Sequence, residues 1–188
     1  MNEHWPKEQR TQQQRTNEPR AKGSWAMDRE DFLRHFEQVR ERTMRVVSAI
    51  PEDKVEWTCR PGEWTFGDLA RHIAATERYV FAECAFGRPS RYKGCGRELG
   101  EGRKGVIAFM ERMHAESMEI FRGMTDEDWV RKGTSPEGKP VTAWRMLRAM
   151  LEHEAHHRGQ MYVYLGILSV PAHPLYTLNE PQLRSLSV

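Results

Sequence analysis

The sequence predicts an all-α fold, an antiparallel four-helix bundle. Three observations carry this. Four segments repeat apolar residues at three- and four-residue steps, the period of an amphipathic helix. No segment shows the convincing apolar/polar alternation of a half-buried strand. The stretches between the four segments hold the Gly, Pro and Asp residues that punctuate helices. Four amphipathic helices bury their stripes best against one another.

The first segment runs from about Asp28 to Ile50, with Phe32, Phe36, Val39, Thr43, Val46, Val47 and Ile50 on one stripe. Asp28 suits the N-cap and Pro51 ends the run. The second starts after Thr65, because Thr65-Phe-Gly-Asp68 has capping-box form. Trp64 and Leu69 occupy the staple positions around that cap. Leu69, His72, Ile73, Thr76 and Val80 then share a stripe, so His72 points toward the core. Gly87 to Gly102 is Gly- and Arg-rich and reads as a long loop. The third helix covers Arg103 to Met124, and Thr125–Asp128 with Gly133–Pro140 make a connection. The fourth covers Thr142 to Leu168, and Pro171 and Pro174 break whatever follows.

A chain of 188 residues suggests one domain plus extra chain. Residues 1–26 are rich in Gln, Arg, Glu, Pro and Thr with almost no aliphatics. Such a segment buries too little apolar surface to offset its ordering entropy, and a flexible tail is expected. Residues 27–188 then hold the bundle and a C-terminal extension. Charge is nearly balanced, with 29 basic and 27 acidic residues, which gives no reason to expect nucleic acid or a membrane surface as partner. No apolar run approaches the ~20 residues of a membrane-spanning helix. Residues 1–26 contain no apolar core of a secretory signal. Cys59, Cys84 and Cys95 are three scattered thiols, not a disulfide framework, which suits a reducing cytoplasm.

His153 and His157 are the chief candidates for chemistry. Four residues apart on a helix, they lie about 40° apart around the axis and one turn along it. Leu147, Met150, Met161 and Tyr164 lie on or beside their stripe, so both rings face apolar surroundings. Buried imidazoles need hydrogen bonds or a metal. His72 on the second helix can meet them, and three imidazoles with an open position suit a catalytic ion better than a structural one. Zinc is the first choice, and nickel, copper, manganese or iron also accept imidazole. The bland reading of each histidine alone is a satisfied core or surface residue. The three together outweigh it. His156 points away from the pair's midline. His4, His35, His114 and His173 have no comparable partner.

His153-Glu154-x-x-His157 also fits the zinc-protease motif, with Glu154 as general base. The extended form needs Gly where Gln160 stands, and no third ligand is found at the extended spacing. Glu154 and Arg158 are spaced for a surface ion pair. Gln160 can bond a ligand imidazole. Gly159 inside a helix costs about 1 kcal/mol relative to Ala, which close packing or substrate access would explain.

Trp64-Thr-Phe-Gly-Asp-Leu-Ala-Arg-His72 and His153-Glu-Ala-His-His-Arg-Gly-Gln160 resemble the two motifs of the DinB/YfiT-like metalloenzyme family. Tyr164 to Pro171 is similar to the exit from the family's last helix. The likeness spans Asp28 to Leu178. It implies a four-helix bundle of unusual connection order, often a homodimer, with one divalent ion on His72, His153 and His157. Some relatives transfer low-molecular-weight thiols such as bacillithiol, and others assist thiol-dependent isomerisation. The leading expectation is therefore a metal-dependent thiol S-transferase acting on a small electrophile, with a low-molecular-weight thiol as cosubstrate. Metal-assisted hydrolysis and a non-enzymatic, stress-related metal-binding dimer are the alternatives. Trp57 and Trp64 are candidates for the mouth of the site.

Overall fold

The computed structural model describes residues 28–174 and 180–186. The expected tail, residues 1–26, lies outside them. Helix α1 spans Arg29–Ala49, and the Asp28 carboxylate caps it by accepting from the Glu30 and Asp31 amides. Helix α2 spans Phe66–Thr76 behind the expected capping box of Thr65 and Asp68. It continues through a π-helical segment, Glu77–Phe81, into a short α3, Ala82–Ala85. Helix α4 spans Gly102–Arg122 and α6 spans Ala143–Ile167. A six-residue helix α7, Glu180–Ser185, ends the described chain.

A short helix and a two-stranded hairpin in the connection after α4 were not expected. Asp126–Val130 forms helix α5 behind a second capping box, Thr125 with Asp128. Strands β1, Lys132–Thr134, and β2, Pro140–Thr142, pair antiparallel, with Gly133 opposite Val141. Three-residue strands are too short to show a period of two. Gly138, at φ 80°, supplies the left-handed residue of their turn.

Helix α1 packs on α4 and α6, and α2 packs on the same two helices. The order around the bundle is therefore α1, α4, α2, α6, and consecutive α1 and α2 lie on a diagonal. Arg122 meets Glu37 while Arg103 meets the Ile50 carbonyl, so α4 runs antiparallel to α1. His72 meets His153 while Phe66 meets Tyr164, so α6 runs antiparallel to α2. The other two neighbouring pairs run parallel. Arg40 with Glu154 and Thr43 with Arg158 set α1 beside α6, and Arg71 with Gly100 and Arg78 with Glu116 set α2 beside α4. No helix among the described residues is long and apolar enough to cross a membrane.

The core has two apolar halves. One gathers Val46, Val47, Phe66, Leu69, Ile73, Val106, Phe109, Met110, Met161 and Leu165. The other gathers Phe32, Phe36, Val39, Phe121, Trp129, Leu147, Met150 and Leu151. Between them each long helix contributes buried polar residues: Arg40 and Thr43, Thr76 and Glu77, Ser117, and Glu154 with Arg158. A polar layer thus crosses the bundle at mid-height. The expected surface pairing of Glu154 and Arg158 is overturned by this layer. Glu154 is 2% exposed and accepts from Arg40, and buried Arg158 donates to the Val39 carbonyl and the Thr43 hydroxyl.

Candidate metal centre

His72, His153 and His157 meet where α2 faces α6, at the edge of the polar layer. Their Nε2 atoms converge. His153 Nε2 lies 3.0 Å from that of His72 and 3.1 Å from that of His157. One ligand atom from each of the three falls within 4.8 Å of the others. The helical spacing read from the sequence places His153 and His157. The capping box that starts α2 sets the phase that turns His72 toward them.

Two of the outer nitrogens are held as well. His72 Nδ1 lies 2.8 Å from the Tyr92 hydroxyl, and His157 Nδ1 lies 2.7 Å from Gln160 Oε1. An Nδ1–H donated outward leaves the Nε2 lone pair facing inward. Burial, then the neighbouring His153 and His157, push His72 down to about 3. Burial, then His157 and His156, push His153 down to about 4. Burial also lowers His157, against its bond to Gln160. All three rings are therefore neutral near pH 7. Three inward lone pairs cannot satisfy one another, because one shared proton bridges only two of them. A cation accepts all three. Two nitrogens on a tetrahedral ion bound at ~2.0–2.1 Å lie roughly 3.3–3.4 Å apart, close to the spacing found here. The residues fit a divalent ion.

Aromatic rings wall the cluster. Trp64 stacks on His157 with centroids 5.5 Å apart and meets His72 edge-on at 4.4 Å. It keeps 40% of its surface exposed, so it stands at the rim of the site. The Tyr164 hydroxyl holds the Trp64 carbonyl at 3.0 Å. Phe81 lies 5.8 Å from His153. Trp57 packs instead against Phe66 and Tyr164, half-buried against the core. His156 is exposed beside His157 and is not part of the cluster. A side chain added at Gly159 would meet nothing within 4 Å, so helix packing does not explain that glycine.

Sequence reasoning missed Tyr92 and Arg71. Tyr92 belongs to the long loop, now a strap over residues 86–101, and nothing in its local pattern marks it. Arg71 is fully buried beside His72. It grips Glu56 and Asp68 and donates to the Cys95 and Gly100 carbonyls, which ties the strap to α2. Gly100 lets the strap close on α4, because a Cβ there would lie 2.5 Å from the Gly105 carbonyl oxygen. Tyr92→Phe removes the partner of His72 Nδ1 and leaves the ring. Metal affinity is expected to fall about 10–100-fold, the usual effect of losing such an outer partner. Competition with a fluorescent chelator measures this, and unchanged affinity would show that the Tyr92 contact is incidental.

Comparison with known proteins identifies the family and the fold. The family model of the DinB superfamily matches residues 35–161. The chain belongs to the DinB superfamily. It is 27% identical over 150 residues to the uncharacterized protein YjoA of Bacillus subtilis (strain 168), covering 77% of this chain and 94% of that protein. The bundle resembles that of YfiT from Bacillus subtilis, described as a probable metal-dependent hydrolase with an unusual four-helix bundle topology. The TM-score is 0.64 at 16% identity, over 84% of this chain and 97% of YfiT. It also resembles a mycothiol-dependent maleylpyruvate isomerase, with TM-score 0.61 at 13% identity, over 72% of this chain and 61% of that one. At these identities the two structural likenesses concern the fold.

Proposed function

We propose that this chain is a divalent-metal-dependent enzyme that transfers a low-molecular-weight thiol to a small electrophile, with His72, His153 and His157 holding the ion. The observation that carries the reading is the convergence of three neutral imidazoles with no carboxylate or thiol joining them among the described residues. Such a donor set offsets none of an ion's positive charge. A bound divalent ion supplies Lewis acidity, which favours the thiolate form of a thiol near neutral pH.

The chain's own residues supply the rest. Tyr92 and Gln160 orient two of the rings through Nδ1. Trp64 and Phe81 offer apolar faces beside the histidines and shield the site from water. Glu154 is turned into the polar layer, where Arg40 holds it. It is therefore poorly placed as the base of a peptidase. A thiolate needs no base once formed, whereas attack by water gains from one. The mycothiol dependence of the isomerase with the same fold supports the thiol reading.

Metal-assisted hydrolysis is the second reading, favoured by the description of YfiT. The test incubates metallated protein with bacillithiol, glutathione and other small thiols and a chromogenic electrophile. Conjugate is expected with metal, and not with chelator or in His157→Ala. No rate above background across the thiol panel, together with chelator-sensitive ester or amide cleavage, would replace transfer by hydrolysis.

A further inference from the structure

The π-helical segment builds a second assembly, away from the histidines. Residues five apart on an α-helix point about 140° away from each other. The wider π turn brings such residues to one side. Arg78 Nη1 there bonds Glu83 Oε1 at 2.6 Å. Glu83 is buried and collects two more guanidinium groups from the strap. Arg88 Nε bonds Oε2 at 2.6 Å, and Arg91 Nε lies 3.4 Å from Oε1. Both oxygens of the carboxylate are thereby engaged.

Three guanidinium groups share this one buried carboxylate. Glu116 takes a further bond only from Arg78. The Nη groups of Arg88 and Arg91 have no hydrogen-bond acceptor among the described residues. The guanidinium groups are also steadied by aromatic faces: Arg88 lies 5.2 Å over Phe86, and Arg91 and Arg78 lie 5.5 and 5.8 Å over Tyr79. They line a cavity of about 310 Å³ together with Glu83 and Pro89. Arg91 is also a wall of a second cavity, of about 350 Å³, which it shares with Tyr79, Lys93 and Glu98. Cavities of this size hold a small organic molecule.

We propose that these adjoining cavities form a binding site for a small oxyanion, a carboxylate or phosphate group seated on the forks of Arg88 and Arg91. A guanidinium presents paired donors that match the oxygens of either group. Glu83 fixes the forks without filling the site, because its oxygens face the Nε side of both strap arginines. The site is linked to the histidine cluster along the chain through one residue. Arg91 precedes Tyr92, whose hydroxyl meets His72, and the Arg91 amide bonds the Tyr79 carbonyl at 2.8 Å. An anion on Arg91 therefore steadies the stretch of strap that orients His72. The assignment does not rest on the thiol-transfer reading, and it is tested without turnover.

The test is calorimetric titration of the full chain with sodium phosphate and, separately, with sodium succinate, at constant ionic strength set by chloride. Saturable binding of at least one anion is expected. Arg88→Gln and Arg91→Gln are each expected to weaken it about tenfold or more, the value of one charge-assisted hydrogen bond. Both residues are half-exposed, and circular dichroism checks that the variants fold. Lys139→Gln, on the β-hairpin turn, is the remote control and is expected to bind as the parent does. Phosphate alone binding assigns a phosphate group, and succinate alone a carboxylate. Equal affinity in parent and arginine variants, or no saturable binding of either anion, would overturn the proposal.

Discussion

Replacing His153 by alanine is expected to abolish stoichiometric binding of a divalent ion. Its Nε2 is within 3.1 Å of both other Nε2 atoms, so it stands at the centre of the cluster. Loss of an outer partner alone costs about 10–100-fold in affinity, and loss of a ligand is expected to cost on the order of 100-fold or more. Proton competition does not blunt the effect at pH 7, because His72 and His153 are held down at about 3 and 4. His72→Ala and His157→Ala are expected to behave alike. His156→Ala is the control: it changes a neighbouring imidazole that stands outside the cluster. Elemental analysis of gently purified protein gives the stoichiometry. An unchanged metal content in His153→Ala, with the fold intact, would end the three-histidine assignment.

How much of this was legible in the sequence depends on the range of each signal. The His153 and His157 spacing, the Asp28 cap and the Thr65 capping box act within one or two turns, and local letters suffice to read them. Thr125 and Asp128 carry the same capping pattern as Thr65 and Asp68. They start only a five-residue helix, too short for an apolar period to identify it. Glu154 and Arg158 looked like a solvated pair because their spacing is right for one. Their partners Arg40, Val39 and Thr43 come from α1, more than a hundred residues away, and no local pattern shows that. Tyr92 is the same case across a shorter distance. The π turn after Thr76 has no sequence mark, yet it aims both Glu77 and Glu83 at arginines. The perimeter order of the helices is equally silent in the sequence, because amphipathic stripes fix which face is buried and not which neighbour covers it.

Arg40→Met is expected to destabilise the protein by about 3–5 kcal/mol, the usual cost of breaking a buried ion pair from one side. Arg40 is 4% exposed and donates to both Glu77 and Glu154. Burial opposes its charge, but Glu154 and then Glu77 overcome this and raise its pKa above the ordinary value. Methionine would fill much of the volume and leave two buried carboxylates without the cation they share. Among the described residues Glu77 would retain only His114, at 3.2 Å. For a domain of this size the loss corresponds to a fall in Tm of roughly 6–20 °C. Adding Glu77→Gln and Glu154→Gln to Arg40→Met removes the stranded charges and is expected to restore much of the stability. That recovery separates a charge effect from a packing effect. The same substitution is expected to weaken the proposed metal site from behind. Glu77 lies on the helical run that carries His72, and Glu154 comes directly after His153, so Arg40 ties together the two helices that bring the histidines to one another. Urea denaturation and metal titration on the single and triple variants measure the two effects. A loss below ~1 kcal/mol in Arg40→Met would mean that the polar layer is hydrated well enough to solvate both carboxylates without the arginine.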